Sequence, residues 1–536
     1  MSDLENKIGG MLMFGWEGST DEESLRASEH ARVLTDEFKV GGVILFARNV
    51  SSPEQVIRTV NELQSRSESP LFVAVDQEGG MVARFKSPFA VFPGNMALGA
   101  IGSSDYARRA AQAIGTQLAA VGVNWDFAPC VDVNVNPDNP IIGVRSFGES
   151  PELVAGLGAA MVEGFQSAGV LSSAKHFPGH GDTSSDTHHT LPTIPYDRRR
   201  LDEVELVPFR AAIEAGVASI MTTHILFPAL DETFPATLSE RILTGLLRRE
   251  LEFGGIIITD CLQMSAIAEG FGAERAGVLA VKAGADMLLV SHSLDYQRLV
   301  RDGLLRAVRT GEILESRIDE SLERIEAAKK RFDLQSRRTA DVSSAASVIG
   351  SQEIRDLERE IAEKAVTLVR NDDGLLPLKG DTASRIAVIG THPATDAFAS
   401  VVHEQNPSSR HLRADAVPTP EQLAEVDALI RESSAVIAVT CPREPWTKGL
   451  VDEDAQADLV NRILKSGVPT VIVAAREPYG LRRFPNARTV VATYGYPDVS
   501  VRAAVDLIFG RVEPHGKLPV SVPGYPDRGD FAGCRD

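Results

Sequence analysis

The chain has 536 residues, of which 43% are hydrophobic and 24% charged, a composition that excludes a disordered or membrane-embedded protein. Its 74 acidic and 55 basic side chains give a net charge of −19, which disfavours nucleic acid and anionic membranes as partners. At about 150 residues per domain, the length allows two to four domains. The N-terminal sequence MSDLENKIGG carries acidic residues where a secretory signal would carry positive charge, so we expect a cytoplasmic location.

Short apolar runs alternate with longer amphipathic stretches from about residue 10 to residue 335. This alternation is typical of repeated βα units around a parallel sheet. We predict seven strands, with an eighth that is irregular or hidden, at 41–46, 71–76, 123–129, 170–176, 218–224, 255–260 and 285–290. The fold class is therefore α/β, with an N-terminal (β/α)8 TIM-like barrel over residues 1–335 as the catalytic domain.

Most of these strands end in an aspartate or a histidine. The residues are Asp76, Asp126, His176, His224, Asp260 and, just beyond the last strand, His292. In a (β/α)8 barrel, functional side chains lie at the carboxyl ends of the strands, where the βα loops meet on one face. The recurrence predicts an active site on that face.

A second domain follows a short polar segment. Residues 336–350 are small and polar and are predicted to be a linker, and residues 351–536 a smaller α/β sandwich domain with a parallel sheet. Its strands are predicted at 385–390, 435–440, 470–476 and 488–495. No G-x-G-x-x-G and no Walker A sequence occurs, so nothing indicates a nucleotide site.

The densest polar stretch is 175–190, which holds four of the eleven histidines. Two glycines flank His180, so the loop turns sharply and its backbone can approach a ligand closely. Asp186 and His188 are two residues apart, and in an extended segment such residues face the same side. The carboxylate can then orient the imidazole and raise its basicity, which makes a dyad suited to proton transfer near neutral pH.

Two other interpretations of this loop remain open. Zinc could be bound by a subset of His176, His180, Asp182, Asp186, His188 and His189. However, the H-x-x-x-H spacing crosses a proline and glycine, which disfavours a helix that presents both imidazoles, and the four cysteines include no CxxC pair. We predict no metal. Alternatively, the polar groups of the loop only satisfy one another.

A second candidate is Asp260, which follows the β-branched run GGIIIT. Such a run indicates a buried central strand, and an aspartate at its end would be held rigidly at the barrel mouth. Asp260 could instead cap the following helix. Asp76, Arg145 and Lys175 add a carboxylate and donors suited to binding sugar hydroxyls.

Together these segments resemble the β-N-acetylglucosaminidase branch of glycoside hydrolase family 3. The resemblance covers nearly the whole chain and rests on KHFPGHGDTSSDTHH, DQEGG with Arg84 after it, NWDFAPCVDVN, RSFG, ITDCLQM, AVTLVRNDDGLLPL (365–378) and GKLPVSVPG (516–524). It implies retaining, exo-acting cleavage of β-glucosides or N-acetyl-β-glucosaminides through a covalent glycosyl-enzyme, with no cofactor. Asp260 matches the family nucleophile, and His188 with Asp186 matches its acid/base dyad. The positions that match the sugar subsite are Asp76, Arg84, Arg145, Lys175 and His176, with His180 nearby.

A histidine in place of a carboxylate base has a consequence for the acceptor. An anion approaching a carboxylate at 4 Å would meet a repulsion of about 4 kcal/mol at an effective dielectric constant of about 20, whereas an imidazole imposes none. We therefore expect inorganic phosphate, as a co-substrate, to compete with water for the glycosyl-enzyme, as it does in some members of this branch.

Three alternatives to this function are a strict β-N-acetylhexosaminidase of cell-wall recycling, a metal-dependent amidohydrolase that uses the histidine loop, and an inactive sugar-binding protein. The expected partners are small β-glycosides or amino-sugar glycosides and phosphate, with no nucleic acid and no membrane. A homodimer is possible.

Overall fold

A computed structural model describes residues 3–183, 191–378, 385–442 and 449–525. Eight parallel strands form the first sheet: β1 Leu12–Gly15, β2 Gly42–Leu45, β3 Phe72–Val75, β4 Trp125–Asp126, β5 Leu171–Phe177, β6 Ser219–Thr222, β7 Ile256–Ile258 and β8 Leu288–Val290. Their order is β7-β6-β5-β4-β3-β2-β1-β8. A parallel bridge between Ile258 and Met287 joins the two ends, so the sheet closes almost completely into a barrel.

The barrel confirms the predicted fold class. The seven predicted strands coincide with β2 to β8, although β5 extends one residue beyond its predicted end, and the hidden strand is β1, with the sequence LMFG. It has no β-branched residue and follows a helix that ends at Gly10, so the chain carries no local strand signal there. Its pairing with β2 and β8 places it in the barrel.

Helices surround the barrel and pack on it through their apolar faces. They are α1 Asp3–Gly10, α2 Asp21–Ser24, α3 Glu29–Arg32, α4 Pro53–Arg66, α5 Asn95–Ile101, α6 Ser104–Ala120, α7 Pro151–Ser167, α8 Arg198–Arg200, α9 Val207–Glu214, α10 Ser265–Phe271, α11 Ala273–Ala283, α12 Leu294–Arg309 and α13 Glu315–Arg331. Segments of 3₁₀ helix occur at Ala47–Asn49, Gly143–Arg145 and Ala236–Leu238. Segments of π-helix occur at Val33–Glu37, Leu201–Glu205 and Arg241–Glu250. Among the described residues, no helix has both the length and the apolar character needed to cross a bilayer.

The second sheet has six strands: β9 Thr367–Asn371, β10 Ile386–Gly390, β11 Arg410–Arg413, β12 Ala435–Thr440, β13 Thr470–Ala474 and β14 Thr489–Ala492. Their order is β11-β10-β12-β13-β14-β9, and β9 pairs antiparallel with β14. The predicted all-parallel sheet is therefore wrong at this edge: β9 enters directly from a preceding helix and runs in the opposite direction. The four predicted strands contain β10, β12, β13 and β14.

Helices flank this sheet and connect it to the barrel. They are α14 Val342–Val348, α15 Gln352–Ala365, α16 Ala394–Gln405, α17 Pro420–Glu432, α18 Glu453–Lys465 and α19 Asp498–Ile508, with a 3₁₀ segment at Pro478–Arg483. The predicted linker 336–350 contains α14, whose Ala345 is buried against the barrel helices. The domain division at this segment stays a prediction.

Candidate active site

The carboxyl ends of the barrel strands surround a cavity of about 440 Å³. Every described residue that the family resemblance assigns to catalysis or sugar binding lines it: Asp76, Arg84, Arg145, Lys175, His176, His180 and Asp260. The predicted dyad, Asp186 and His188, lies outside the described residues. The barrel therefore brings together side chains from strands far apart in sequence, as the strand-end pattern predicts.

Five charged side chains, here called the charged cluster, line the inner part of the cavity. Lys175 Nζ lies 2.8 Å from Asp76 Oδ1 and 2.7 Å from Glu78 Oε1. Arg145 binds Glu78 through two hydrogen bonds, 2.8 Å from Nη2 to Oε1 and 3.0 Å from Nε to Oε2. Arg84 Nη2 lies 3.5 Å from Asp76 Oδ2. The geometry leaves Asp76 less tightly paired than Glu78.

The members of the charged cluster hold one another in their charged forms. Burial by itself would raise the pKa of Glu78, but the charges of Arg145 and Lys175 outweigh it and hold the pKa well below its usual range. Burial acts in the same direction on Asp76, where Lys175 and Arg84 outweigh it and lower the pKa. The cluster therefore offers fixed carboxylates and cationic donors at neutral pH, a combination suited to sugar hydroxyls.

Asp132 fixes both histidines at the start of the predicted catalytic loop. His176 Nδ1 lies 2.7 Å from Asp132 Oδ2, and the His180 backbone N–H donates to Asp132 Oδ1 at 2.7 Å. His180 Nδ1 lies 3.0 Å from the Thr183 hydroxyl. Burial lowers the pKa of His180 to about 4, so this imidazole is neutral at physiological pH. It packs and orients the loop and carries no charge into the site.

The glycines beside His180 are required by close approach. A Cβ on Gly181 would lie 1.8 Å from the carbonyl oxygen of Val133. Gly179 has φ +144°, in the region that favours glycine. The loop can therefore lie directly on the segment that carries Asp132, as its sequence predicts.

The described part of the chain holds one group of side chains close enough together to bind a metal ion. Atoms of Cys130, Asp132 and His176 lie within 4.8 Å of one another. The Asp132 carboxylate already accepts a hydrogen bond from the Cys130 thiol at 3.2 Å and is hydrogen-bonded to the His176 imidazole. Burial raises the pKa of the Cys130 thiol well above its usual value, which opposes the thiolate that a metal requires.

Asp260 follows β7 and lies half-buried at the cavity wall. Its Oδ1 accepts the backbone N–H of Cys261 at 2.7 Å. The nearby helix α10 begins at Ser265 with Met264 as its N-cap, so the alternative in which Asp260 caps that helix is wrong. The Ser291 hydroxyl donates to Cys261 Sγ at 2.9 Å, and burial raises the pKa of Cys261, which keeps it neutral beside Asp260.

The other strand-end residues take different positions. His292 lines the cavity. His224 is buried, with Nδ1 2.8 Å from the Thr237 hydroxyl and Nε2 3.0 Å from the Cys261 carbonyl oxygen. Asp126 is buried close to the charged cluster, where it interacts electrostatically with Lys175, Asp76 and Glu78. The strand-end pattern thus marks residues that line the site and residues that support it.

Three charged residues of the site were not singled out in the sequence. Glu78 lies in DQEGG two positions after Asp76, the spacing that places side chains on one side of an extended chain. Asp132 lies in CVDVN, where no local signal links it to His176, 44 residues later. Arg48 lines the cavity beside Phe46, its guanidinium carbon 4.5 Å from the ring centroid.

The second domain supports the loop that carries Arg145. The Asn134 side chain donates to the Tyr479 hydroxyl at 2.7 Å and accepts the Gly143 backbone N–H at 3.2 Å. Gly143 begins the turn that ends at Arg145. On the same face, Arg482 binds Asp138 at 2.6 Å. The second domain therefore acts as a scaffold for one wall of the cavity.

Comparisons with known proteins agree with this architecture. A family model described as glycosyl hydrolase family 3 N terminal domain matches residues 3–328, and the glycosyl hydrolase family 3 C-terminal domain matches residues 366–531. The chain is 34% identical to β-hexosaminidase A of Pseudoalteromonas piscicida over 544 residues, covering 91% of this chain and 90% of the relative. It is 32% identical to a β-N-acetylglucosaminidase/β-glucosidase of Cellulomonas fimi over 535 residues, covering 92% and 90%.

A solved structure extends the comparison to three dimensions. The family 3 β-N-acetylglucosaminidase from Paenibacillus sp. str. FPU-7 superposes with a TM-score of 0.89 at 38% identity. The alignment covers 97% of this chain and 99% of that one. Both the barrel and the second domain are therefore shared.

Proposed function

Since the chain belongs to glycosyl hydrolase family 3, we propose that it is a retaining exo-glycosidase that removes one terminal β-linked sugar through a covalent bond to Asp260. Family membership makes the protein a glycosidase, and it sets aside the metal-dependent amidohydrolase.

One observation carries the proposal: Asp260 shares a cavity with the charged cluster. Lys175 and Glu78 line that cavity and are almost completely buried. A sugar bound there by Asp76 and Arg84 would present its anomeric carbon toward Asp260. Because Lys175 and Glu78 are buried, we propose that the sugar subsite ends at them and that attack is on the terminal residue only.

The proposed reaction has two displacements at the anomeric carbon. The Asp260 carboxylate forms a bond to this carbon as the glycosidic C–O bond breaks, and the His188 imidazolium gives its proton to the leaving oxygen. Water or phosphate then forms the new C–O bond, the bond to Asp260 breaks, and His188 takes up a proton from the attacking acceptor. Two inversions retain the β configuration. Asp186 would orient His188 and stabilise its charged form.

The sugar proposed is N-acetylglucosamine, with glucose as a second substrate. Both aligned curated relatives and the superposed structure are named for hexosaminidase or N-acetylglucosaminidase activity, and one is also named a β-glucosidase. Values of kcat/KM for aryl N-acetyl-β-glucosaminides and aryl β-glucosides test this order. A higher value for the glucoside would reverse it.

Arg48 supports phosphate as an acceptor beside water. Its guanidinium donates to the carbonyl oxygens of Trp16 at 3.0 Å and Ser291 at 2.9 Å. Among the residues that the structure describes, no carboxylate lies within salt-bridge distance of Arg48. It therefore brings a positive charge to the cavity that no such contact neutralises, on the wall adjoining Cys261.

We expect phosphate to divert part of the product to a β-configured sugar 1-phosphate. Product analysis by NMR, with and without phosphate, measures this. Arg48→Gln should raise the KM for phosphate about 10- to 100-fold, since a charge-assisted hydrogen bond contributes roughly 1.5–3 kcal/mol. Hydrolysis without phosphate should change far less.

Arg58→Gln on the exposed face of α4 is the matched control and should leave the phosphate dependence unchanged. Free sugar as the sole product at every phosphate concentration would contradict phosphate as an acceptor. The protein would then be a hydrolase that transfers the sugar to water only. An α-configured phosphate would instead contradict retention.

Replacing His188 should slow substrates with poor leaving groups most. General acid catalysis contributes roughly 10²- to 10⁴-fold, and a good leaving group needs little protonation. His188→Ala should therefore lower kcat/KM for alkyl glycosides much more than for dinitrophenyl glycosides. A series of aryl glycosides of graded leaving-group pKa measures the slope, and equal losses across the series would contradict an acid role.

A further inference from the structure

Asp126 is a carboxylic acid buried close to the charged cluster. It ends β4 and has no exposed surface. Its Oδ1 accepts the backbone N–H of Gln77 at 2.9 Å, and within the described ranges its Oδ2 has no hydrogen-bond partner. It therefore differs from Asp76 and Glu78, each of which is paired with a cation.

The charged groups that face Asp126 come from two neighbouring strands. Asp76 and Glu78 follow β3, and Lys175 belongs to β5. Lys175 Nζ is bonded to Asp76 and Glu78, and no contact within salt-bridge distance joins it to Asp126. An ionised Asp126 would add a third carboxylate to a buried set whose cations are already engaged, at a high cost in free energy.

Asp126 is also connected to the residues that would hold the sugar. Gln77, which donates its backbone N–H to Asp126, lies between Asp76 and Glu78. The Gln77 side chain accepts the backbone N–H groups of Arg84 at 2.7 Å and Phe85 at 3.0 Å. Its amide group also donates to the Phe85 carbonyl oxygen at 3.0 Å. Asp126 and Gln77 thus fix the turn that carries Asp76, Glu78 and Arg84.

We infer that Asp126 is a positioning residue that acts as a neutral carboxylic acid, and that its ionisation weakens sugar binding by the charged cluster. While it holds its proton, Asp126 accepts from Gln77 and adds no charge close to the charged cluster. Without the proton, it competes with Asp76 and Glu78 for Lys175 and repels both carboxylates. The inference rests on the proposed function, since it takes Asp76 and Arg84 as sugar ligands.

The pH range in which Asp126 loses its proton supports this role. Burial raises the pKa of Asp126 to about 8; the Gln77 N–H and the Lys175 charge act against it, and Asp76 and Glu78 add smaller contributions that raise it. Asp126 is therefore protonated at neutral pH and ionised in mild alkali. If only the protonated form binds sugar, the apparent Kd rises about tenfold by one pH unit above that pKa.

The test compares the wild-type protein with Asp126→Asn, which keeps the shape and stays neutral at every pH. Isothermal titration calorimetry with N-acetylglucosamine at pH 6.5 and 9 measures binding without any proton transfer to a leaving group. The wild-type Kd should rise about tenfold between these pH values. The Kd of Asp126→Asn should change less than about twofold and match the wild type at pH 6.5. Equal pH dependence in both proteins would overturn the inference.

A stability measurement separates this inference from the proposed function. A carboxyl whose pKa is raised in the folded state is stabilising below its unfolded pKa and loses that contribution as the pH rises toward 8. The wild-type ratio of folded to unfolded protein should therefore fall up to tenfold more per pH unit than that of Asp126→Asn between pH 5 and 8. Asp105→Asn, exposed on α6, should follow the wild type.

The binding and stability measurements together distinguish a failure of this inference from a failure of the proposed function. If neither protein binds N-acetylglucosamine or glucose but the stability difference appears, the proposed function fails and Asp126 is still a buried neutral acid. If both proteins bind sugar with the same pH dependence, or their stability profiles coincide, the inference about Asp126 fails and the proposed function stands.

Discussion

Asp260→Ala is expected to abolish turnover of every β-glycoside, with kcat/KM reduced on the order of 10⁴-fold or more, a loss of about 5 kcal/mol of transition-state stabilisation. The Asp260 carboxylate would form the covalent bond in the first displacement, so the loss cannot depend on the leaving group. Steady-state kinetics on activated and unactivated glycosides measure it.

The assignment also predicts the site of a trapped intermediate. A 2-deoxy-2-fluoro glycoside with a good leaving group should modify the wild-type protein once, on the peptide that contains Asp260. Asp302→Ala, on the exposed face of α12, is the control and should keep full activity and label normally. An adduct on another residue, or near-normal activity of Asp260→Ala, would remove the nucleophile assignment.

Glu78→Gln is expected to destabilise the barrel by roughly 3–5 kcal/mol and to weaken sugar binding. Glu78 accepts two hydrogen bonds from Arg145 and lies 2.7 Å from Lys175 Nζ. The neutral amide leaves these two buried cations without one of their carboxylates, and the loss is large because little water reaches them. Denaturant unfolding and the Kd of N-acetylglucosamine measure the two effects.

A matched ion pair on the surface shows how much of this effect is due to burial. Glu163 forms an exposed ion pair with Arg108 at 2.9 Å, and Glu163→Gln removes it. It should cost less than about 1 kcal/mol. A similar small cost for Glu78→Gln would show that the charged cluster does not depend on its central carboxylate.

The pH dependence of the Glu78 contribution has a definite sign. The folded protein holds the pKa of Glu78 well below its usual range. Its contribution is therefore fully present above the pKa of an unfolded glutamate, near 4.5, and is lost as the pH falls below it. The stability gap between wild type and Glu78→Gln should thus be constant from pH 6 to 7 and narrow in acid.

The sequence predicts the barrel well because each βα unit carries its own signal. Continuous apolar runs indicate buried parallel strands, and the polar residues that end them indicate the functional face. The prediction misses β1, whose LMFG has no β-branched residue, and the antiparallel direction of β9. Both depend on pairing with strands that are distant in sequence, which no local pattern records.

The functional site likewise contains residues that the sequence predicts and residues that it misses. Asp76, His176 and Asp260 are predicted because each ends a recognisable predicted strand. Asp132 is missed because its role depends on His176, which folding brings to it from 44 residues away. For Arg145, the residue type predicts a fork donor for hydroxyls, whereas the structure shows its fork holding the Glu78 carboxylate.

By itself, the sequence determined the α/β class, the barrel, the family and several of the residues that line the cavity, because periodicity and motif order are local properties. Its net charge of −19 also disfavours polyanionic partners on average. Only the tertiary structure decided the electrostatics inside the cavity. It pairs Glu78 with two cations and leaves Arg48 without a carboxylate in contact among the described residues. It also buries Asp126, so that the protonated carboxylic acid is lower in free energy than the ionised form. Charges at a few ångströms in a buried site outweigh the screened field of a distant surface, so the local arrangement, and not the net charge, sets the chemistry.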